Sequence, residues 1–264
     1  MGNAAASRPV AIITGAAGGL GSIIAPQMAR NGFDVVVSDL HETEAMESVC
    51  EAVRKEGGKA WGIAQDLARV EELKAFVDNV YDTCGRLDCL VNNAGVSVLS
   101  RGDMLDVTPE SFDRVYAVNL RAPFFLTQHV AKRMLDDRKN GVGDHFKSII
   151  TISSVGTDHM IGKVVSEYCI IKSATAVMTK HYAVRLAAAG IDCYDIRPGM
   201  MPTSMTASSK DKYDGLIAQG YVPAGRWAEL DEIGHTISSL ANGALRYTVG
   251  QSIYVDGGMA LKPF

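Results

Sequence analysis

The 264-residue sequence has few of the features that place a protein in a membrane or on nucleic acid. No apolar run approaches the roughly 20 residues that a helix needs to cross a bilayer. Lysine and arginine total 26 against 30 aspartates and glutamates, which gives a formal net charge of −4. Because a basic surplus is missing, we expect neither nucleic acid nor a membrane as a partner.

Cysteine is scarce and shows no pairing pattern. The number is odd, no CxxC pair occurs, and the interval from Cys84 to Cys89 is wider than zinc-knuckle spacing. The histidines are equally scattered, so we expect no bound metal. Isolated thiols suit a reducing compartment, and the sequence therefore predicts a cytoplasmic protein. The five cysteines are Cys50, Cys84, Cys89, Cys169 and Cys193.

Apolar residues make up 47% of the chain, which is enough for a sizeable core. Short β-branched runs such as residues 35–37 are apolar without alternation, which is typical of strands covered on both faces. Predicted strands are 10–14, 34–39, 59–64, 88–92, 148–153, 192–196 and 251–255. Predicted helices are 19–31, 42–56, 71–84, 112–137, 168–189 and 231–241.

Strand and helix alternate throughout, and no linker or repeat divides the chain. This order predicts a doubly wound, Rossmann-type α/β fold: a seven-stranded parallel sheet with helices on both faces, in one domain over residues 1–264. A longer segment, residues 200–221, follows the sixth strand. Since ligands bind beyond the carboxyl ends of such strands, this segment is a candidate substrate lid; a surface excursion without a role is the alternative.

A glycine-rich turn follows the first predicted strand. Its spacing, Gly15-x3-Gly19-x-Gly21, differs from the GxGxxG fingerprint, but a turn between strand and helix suits a pyrophosphate at the helix N-terminus. Asp39 ends the second strand, where a carboxylate accepts hydrogen bonds from the adenosine ribose and repels a 2′-phosphate. The sequence therefore favours NAD over NADP, unless Asp39 is only an exposed turn residue.

The strongest catalytic signal is Tyr168-x3-Lys172 on a predicted helix. At i and i+4 the two side chains share one face. A tyrosine near pKa 10 is a poor base at neutral pH, and lowering its pKa by about 3 units requires about 4 kcal/mol of differential stabilisation. A nearby ammonium and an oxidised nicotinamide both favour the phenolate. Ser153 and Ser154 close the fifth strand, where a hydroxyl can polarise a substrate oxygen.

These motifs, in this order and over essentially the whole chain, resemble the short-chain dehydrogenase/reductase family. The matching segments are the glycine turn, Asn92-Asn93-Ala94-Gly95, Asn119, Ser153-Ser154, Tyr168-x3-Lys172, and Pro198 to Thr203. The resemblance implies four catalytic residues: Asn119, Ser154, Tyr168 and Lys172. The residues assigned to the cofactor are Gly15, Gly19, Leu20, Gly21, Asp39, Leu40, Asp66, Leu67, Asn93, Ala94, Gly95, Tyr168, Lys172, Pro198, Gly199, Met201 and Thr203.

By this resemblance Tyr168 is the general acid/base, while Lys172 lowers its pKa and holds the nicotinamide ribose. Asn119 would anchor a water that conducts protons outward. The family's catalytic serine falls thirteen residues before the tyrosine, whereas Ser154 lies fourteen before Tyr168. A one-residue insertion explains the difference, so we assign catalysis to Ser154 and turn Ser153 toward the cofactor. The C-terminal Asp256-Gly257-Gly258 also matches the family and implies a homotetramer.

The sequence thus predicts an NAD(H)-dependent oxidoreductase that interconverts a secondary alcohol and a ketone. One alternative is an NADPH-dependent 3-oxoacyl-acyl-carrier-protein reductase, which the segments around Ser154 and Tyr168 resemble; Asp39 argues against it. A second is a catalytically silent dinucleotide-sensing scaffold, and a weaker one is a sugar-nucleotide epimerase. Met160, Met200, Met201 and Met205 indicate an apolar substrate pocket. No anion clamp is evident in the sequence, which favours a neutral alcohol or ketone.

Overall fold

Seven parallel strands form one sheet in the computed structural model, which describes residues 8–142, 145–159 and 164–261. The strands are β1 (Val10–Thr14), β2 (Asp34–Asp39), β3 (Ala60–Ala64), β4 (Cys89–Asn92), β5 (Lys147–Ile152), β6 (Ile191–Pro198) and β7 (Ser252–Val255). Their order across the sheet is β3-β2-β1-β4-β5-β6-β7. Strand order reverses between β1 and β4, and this switch point opens a crevice at the carboxyl edge.

Helices cover both faces of this sheet. They are α1 (Gly21–Arg30), α2 (Glu44–Lys55), α3 (Leu73–Cys84), α4 (Pro109–Tyr116), α5 (Ala122–Lys139), α6 (Ser166–Leu186), α7 (Ser204–Ala207), α8 (Lys210–Ala218) and α9 (Leu230–Ala241). The predicted fold class is confirmed. Predicted strand ends agree within one or two residues, whereas α7 and α8 were not expected from the periodicity.

Two apolar cores lie on opposite sides of the sheet. One contains Ile24 of α1, Val49 of α2 and Ile237 of α9. The other contains Phe76 of α3 and Leu126 of α5. Successive strand residues point to opposite faces, so the continuous apolar runs feed both cores at once. At the end of α9, Asn242 donates to the Asn31 carbonyl that follows α1, at 3.2 Å.

The long helix predicted over 112–137 is interrupted by a π-helical turn, Ala117–Arg121. Pro123, in the first turn of α5, has no N–H to donate to the Asn119 carbonyl four residues earlier. The hydroxyl of Thr175, on α6, donates to that carbonyl instead, at 2.9 Å. The proline therefore explains the break, and the break turns Asn119 into the interior, where its side chain is buried.

Lys147 at the start of β5 is buried, with only 1% of its surface exposed. Its ammonium donates to the Leu87 carbonyl at 2.7 Å and to Asp137 at 2.9 Å, and lies 3.5 Å from Asp88. Asp137 also accepts from the Tyr81 hydroxyl, at 3.0 Å. This polar network ties β5 to α3, to α5 and to the segment before β4.

Over the part of the chain that the structure describes, no helix combines the length and the apolar character needed to cross a bilayer.

Candidate active site

The carboxyl ends of the central strands open into a cavity of about 420 Å³. It runs from the glycine turn after β1, past the ends of β4 and β5, to α7 and α8. Most of the predicted site residues lie on its wall. These are Gly15, Gly19, Leu20, Asp39, Asn93, Ala94, Gly95, Ser154, Tyr168, Lys172, Pro198, Gly199, Met201 and Thr203.

The glycine turn has a backbone conformation and close contacts that residues with a Cβ cannot easily adopt. Gly15 and Gly19 have φ values of 62° and 53°, in the left-handed region. A Cβ on Gly15 would lie 2.8 Å from the Ala94 Cα, and one on Gly21 would lie 2.4 Å from the Gly15 carbonyl oxygen. Gly21 is thus absent from the cavity wall because it packs beneath the turn, where only glycine fits.

Side chains from neighbouring strands hold this turn. Asn93 donates through Nδ2 to the carbonyls of Thr14 and Gly15, at 2.8 and 3.0 Å. The Thr14 hydroxyl accepts from the Ala94 N–H at 3.0 Å. In contrast, Gly18 and Gly19 face open space in the cavity. The first turn of α1 carries no acidic residue, so the positive end of the helix dipole remains favourable for an anion. The residues present therefore fit the pyrophosphate of a dinucleotide.

Asp39 ends β2 at the edge of the same cavity. Its carboxylate accepts from the N–H groups of Ala17 and Leu40, both at 2.8 Å, which fixes it beside the glycine turn. Leu40 itself is 49% exposed and lies outside the cavity wall. Asp39 is thus oriented by the backbone and still lines the cavity.

Asp66 and Leu67 also lie off the cavity wall. The Asp66 carboxylate accepts from the Ala68 N–H at 2.9 Å, which makes it a turn residue after β3. Leu67 packs against the apolar core formed by α3 and α5. The resemblance assigns both residues to the cofactor; the structure places Asp66 in a turn and Leu67 against the core.

Tyr168 on α6 and Ser154 after β5 meet on the cavity wall. Burial raises the pKa of the Tyr168 phenol to about 12, and a hydrogen bond with the Ser154 side chain opposes the rise. The Ser154 hydroxyl also accepts from the Gly156 N–H at 3.0 Å. The Ser153 hydroxyl instead lies 3.3 Å from the Ile196 carbonyl oxygen, to which it donates. The structure therefore places Ser154, and not Ser153, beside the tyrosine.

Lys172 lies one helical turn after Tyr168. Its ammonium donates to the Ile152 carbonyl at 2.6 Å and lies 5.9 Å from the centre of the Tyr168 ring. Burial lowers the pKa of Lys172 to about 8, and the Asp195 carboxylate opposes this change. Burial of Tyr168 outweighs the opposing hydrogen bond with Ser154, and a pKa of about 12 keeps the phenol protonated at neutral pH.

Asn119 is buried behind the wall rather than on it. Its Oδ1 accepts from the Val96 N–H at 2.8 Å, and its Nδ2 donates to the Val96 carbonyl at 2.9 Å. Both bonds hold the loop after β4, where Gly95 lies beside Lys172. The side chain thus positions the loop that borders Lys172.

The wall also contains residues that sequence reasoning did not assign. Arg101 in the loop after β4, Tyr213 on α8 and Met259 near the C-terminus all line the cavity. Met200, Met201 and Met205 line it as predicted, while Met160 lies outside the described residues. Nothing in the local sequence pattern marks Arg101, because its loop has no periodicity that would show which way its side chain points.

In residues 8–142, 145–159 and 164–261, no group of three His, Cys, Asp or Glu side chains is placed to hold a metal ion.

Several known proteins are similar to this chain in sequence and in fold. The family model described as "Enoyl-(Acyl carrier protein) reductase" matches residues 15–260. The 3-oxoacyl-[acyl-carrier-protein] reductase FabG of Staphylococcus epidermidis is 31% identical over 94% of this chain and 98% of its own.

Two solved structures are similar over nearly the full chain. A 3-oxoacyl-[acyl-carrier protein] reductase from Brucella melitensis in complex with NAD is 39% identical, with a TM-score of 0.92, covering 97% of this chain and 99% of its own. A protein from Agrobacterium tumefaciens with bound NADP is 30% identical, with a TM-score of 0.83, covering 95% and 96%. Motif order, fold and relatives agree: the chain is an oxidoreductase of the short-chain dehydrogenase/reductase family.

Proposed function

We propose that the protein is an NAD(H)-dependent oxidoreductase that interconverts a secondary alcohol and a ketone. The observation that carries the proposal is the cluster of Ser154, Tyr168 and Lys172 on the wall of one cavity that also contains the glycine turn. A dinucleotide seated on that turn reaches these three side chains within the same cavity. When bound, the nicotinamide supplies the hydride acceptor for alcohol oxidation and, when reduced, the hydride donor.

The side chains of this chain handle the proton and orient the substrate oxygen. In the reductive direction the Tyr168 phenol, whose pKa is about 12, donates its proton to the oxygen that gains charge. The Ser154 hydroxyl offers a second hydrogen bond to that oxygen. In the oxidative direction Tyr168 must lose its proton, which positive charge from Lys172 and the oxidised cofactor favours. The residues 200–221 act as the lid of this single-domain enzyme.

Cofactor preference rests on Asp39. Replacing it by alanine is expected to lower kcat/KM strongly with NAD and little with NADP. Loss of charge-assisted hydrogen bonds to the ribose corresponds to about 10- to 100-fold in kcat/KM with NAD. Removing the charge also relieves repulsion of a 2′-phosphate, so the NAD/NADP ratio falls. Steady-state kinetics with both cofactors provide the measurement.

Asp103→Ala is the control for that experiment. Asp103 likewise accepts a backbone N–H, from Leu105 at 3.0 Å, but lies off the cavity wall. It should leave the ratio unchanged. An Asp39→Ala enzyme with the wild-type NAD/NADP ratio would remove the reason for choosing NAD.

A second candidate is an NADPH-dependent reductase of 3-oxoacyl thioesters on acyl carrier protein. The names of the Staphylococcus and Brucella relatives favour it. The alignment of Asp39 toward the ribose space favours NAD instead, as does the NAD complex of the Brucella protein. Cofactor preference and substrate class therefore separate the two candidates.

The decisive experiment is a steady-state screen in both directions with NAD(H) and NADP(H). Polyols, hydroxy acids, steroids and oxoacyl thioesters serve as substrates, and Tyr168→Phe serves as the control. NAD(H)-linked turnover of one alcohol class that the control lacks supports the first proposal. Turnover confined to NADPH and oxoacyl thioesters selects the second. Tight dinucleotide binding with silence on every substrate would instead favour a sensing scaffold.

We also propose that the chain assembles as a homotetramer in the cytoplasm. An apolar stripe at seven-residue intervals lies exposed on α6, formed by Ile170, Val177 and Val184, and Phe124 on α5 is 40% exposed. Such a stripe suits helix packing between copies. The scattered spacing of the five cysteines suits a reducing compartment. Light scattering of the purified protein tests the assembly, and a monomeric mass would contradict it.

A further inference from the structure

Arg101 places an isolated positive charge on the cavity wall. Besides Asp39, which faces the adenosine side, the charged residues on the described wall are Arg101 and Lys172. Lys172 is engaged with the Ile152 carbonyl beneath the catalytic tyrosine. Arg101 is therefore the cation that the protein offers to the substrate part of the cavity.

The hydrogen-bond partners of Arg101 are neutral. Nη1 donates to the Ser209 hydroxyl at 3.0 Å, and Nη2 donates to the Met205 carbonyl at 3.2 Å. Among the described residues, no carboxylate pairs with this guanidinium, and its Nε has no acceptor. These two bonds hold the loop after β4 against α7 and the start of α8, so the guanidinium is anchored while its charge stays uncompensated.

The cavity joins Arg101 to Tyr168 by way of α8. Ser209, its hydrogen-bond partner, is one helical turn from Tyr213, whose N–H donates to the Ser209 carbonyl at 3.0 Å. One turn of helix spans about 5.4 Å. Tyr213 in turn lies near enough to Tyr168 to influence its pKa, and both line the cavity. A substrate oxygen at Tyr168 and an anionic group at Arg101 can thus belong to one small molecule.

We propose that Arg101 binds a carboxylate of the substrate, so that the enzyme acts on a small hydroxy acid and its oxo acid. The carboxylate lies a few bonds from the carbon that exchanges hydride. A guanidinium fork binds a carboxylate through two parallel, charge-assisted hydrogen bonds. The cavity that contains Arg101 also has apolar wall residues, namely Met200, Met201, Met205 and Met259. This inference rests on the proposed function and replaces the expectation of a neutral substrate.

The test compares each acid with its neutral counterpart. Lactate, 3-hydroxybutyrate and gluconate are assayed with NAD beside their methyl esters or amides, with wild type, Arg101→Gln and Arg101→Lys. We expect the wild type to favour one acid over its neutral form. We expect Arg101→Gln to lower kcat/KM for that acid by about 10- to 100-fold, mainly through KM, with less than about threefold change for the neutral form. Arg101→Lys should retain part of the preference.

Arg138→Gln is the matched control. Arg138 also donates to two neutral carbonyls, those of His145 and Gly190, and lies away from the cavity. Arg138→Gln should leave kcat/KM unchanged for both the acid and its neutral form. Equal losses of the acid and the ester in Arg101→Gln would mean that Arg101 only fastens α7 and α8, and would overturn the proposal. A preference for sugar phosphates over every carboxylate would overturn the carboxylate as the anion.

Binding separates failure of this inference from failure of the proposed function. Calorimetric titration of the three acids into wild type and Arg101→Gln, each saturated with NADH, measures anion affinity without turnover. Tighter binding by wild type supports the role of Arg101 even if no alcohol or ketone reacts. Equal affinity of the two proteins for all three acids contradicts it even if Tyr168-dependent turnover of neutral alcohols is found.

Discussion

Replacing Tyr168 by phenylalanine is expected to lower kcat by about 10²- to 10⁴-fold, because the general acid/base is removed from the transition state. The ring remains, so packing beside Ser154 is retained and dinucleotide affinity should change little. The pKa of about 12 adds a directional expectation: the wild-type phenol carries its proton at neutral pH, so reduction of a ketone should depend on that proton. Single-turnover kinetics with NADH and fluorescence titration of NADH provide the two measurements.

Tyr182→Phe provides the control on the same helix. Tyr182 also loses a hydrogen bond, since its hydroxyl donates to the Phe124 carbonyl at 2.8 Å, but it is absent from the cavity wall. Its kcat should stay within about twofold of wild type. Turnover by Tyr168→Phe within tenfold of wild type would assign the proton transfer to another group.

The largest stability effect is expected at Lys147, where replacement by methionine should lower the free energy of unfolding by about 3–5 kcal/mol. Methionine matches the length of the side chain but leaves the buried Asp137 carboxylate without its cation. Asp88 retains its ion pair with Arg86, whose Nε donates to it at 2.7 Å. The destabilisation therefore comes mainly from Asp137, which loses the Lys147 ammonium. Urea unfolding of the cofactor-free protein, followed by circular dichroism, measures the change.

The double variant Lys147→Met with Asp137→Leu isolates the cause. If an unpaired buried charge destabilises the single variant, removing that charge should recover a large part of the lost stability. Lys210→Met removes an exposed lysine from its pair with Asp214 and should leave the unfolding midpoint essentially unchanged. A Lys147→Met protein as stable as wild type would show that the network contributes little.

The sheet was predictable because its signal is local. Apolar runs such as those of β1 and β2 are bounded by glycine and aspartate, and each run needs only its own residues to be identified. The break in the helix over 112–137 was harder to predict from the sequence. It depends on Pro123 denying a hydrogen bond and on Thr175, more than fifty residues away, supplying one. Such a replacement exists only in three dimensions.

The site divides in the same way. Gly15, Tyr168 and Lys172 are marked by spacing, because a turn and a helix face impose fixed intervals. Arg101 and Tyr213 reach the cavity through the packing of α7 and α8, and the hydrophobic periodicity did not predict these two helices. The direction of the Tyr168 pKa also could not be obtained from spacing, since it depends on how completely α6 is covered.

The contact between α1 and α9 has a consequence for biosynthesis. Asn31 and Asn242 are 211 residues apart in sequence, so the apolar face of the first helix is synthesised long before its final partner. At about 5–20 residues per second, that interval lasts on the order of 10–40 s. Throughout it, Ile24 and Met28 lack the α9 side of their core, so part of the apolar face of α1 stays uncovered until synthesis is nearly finished.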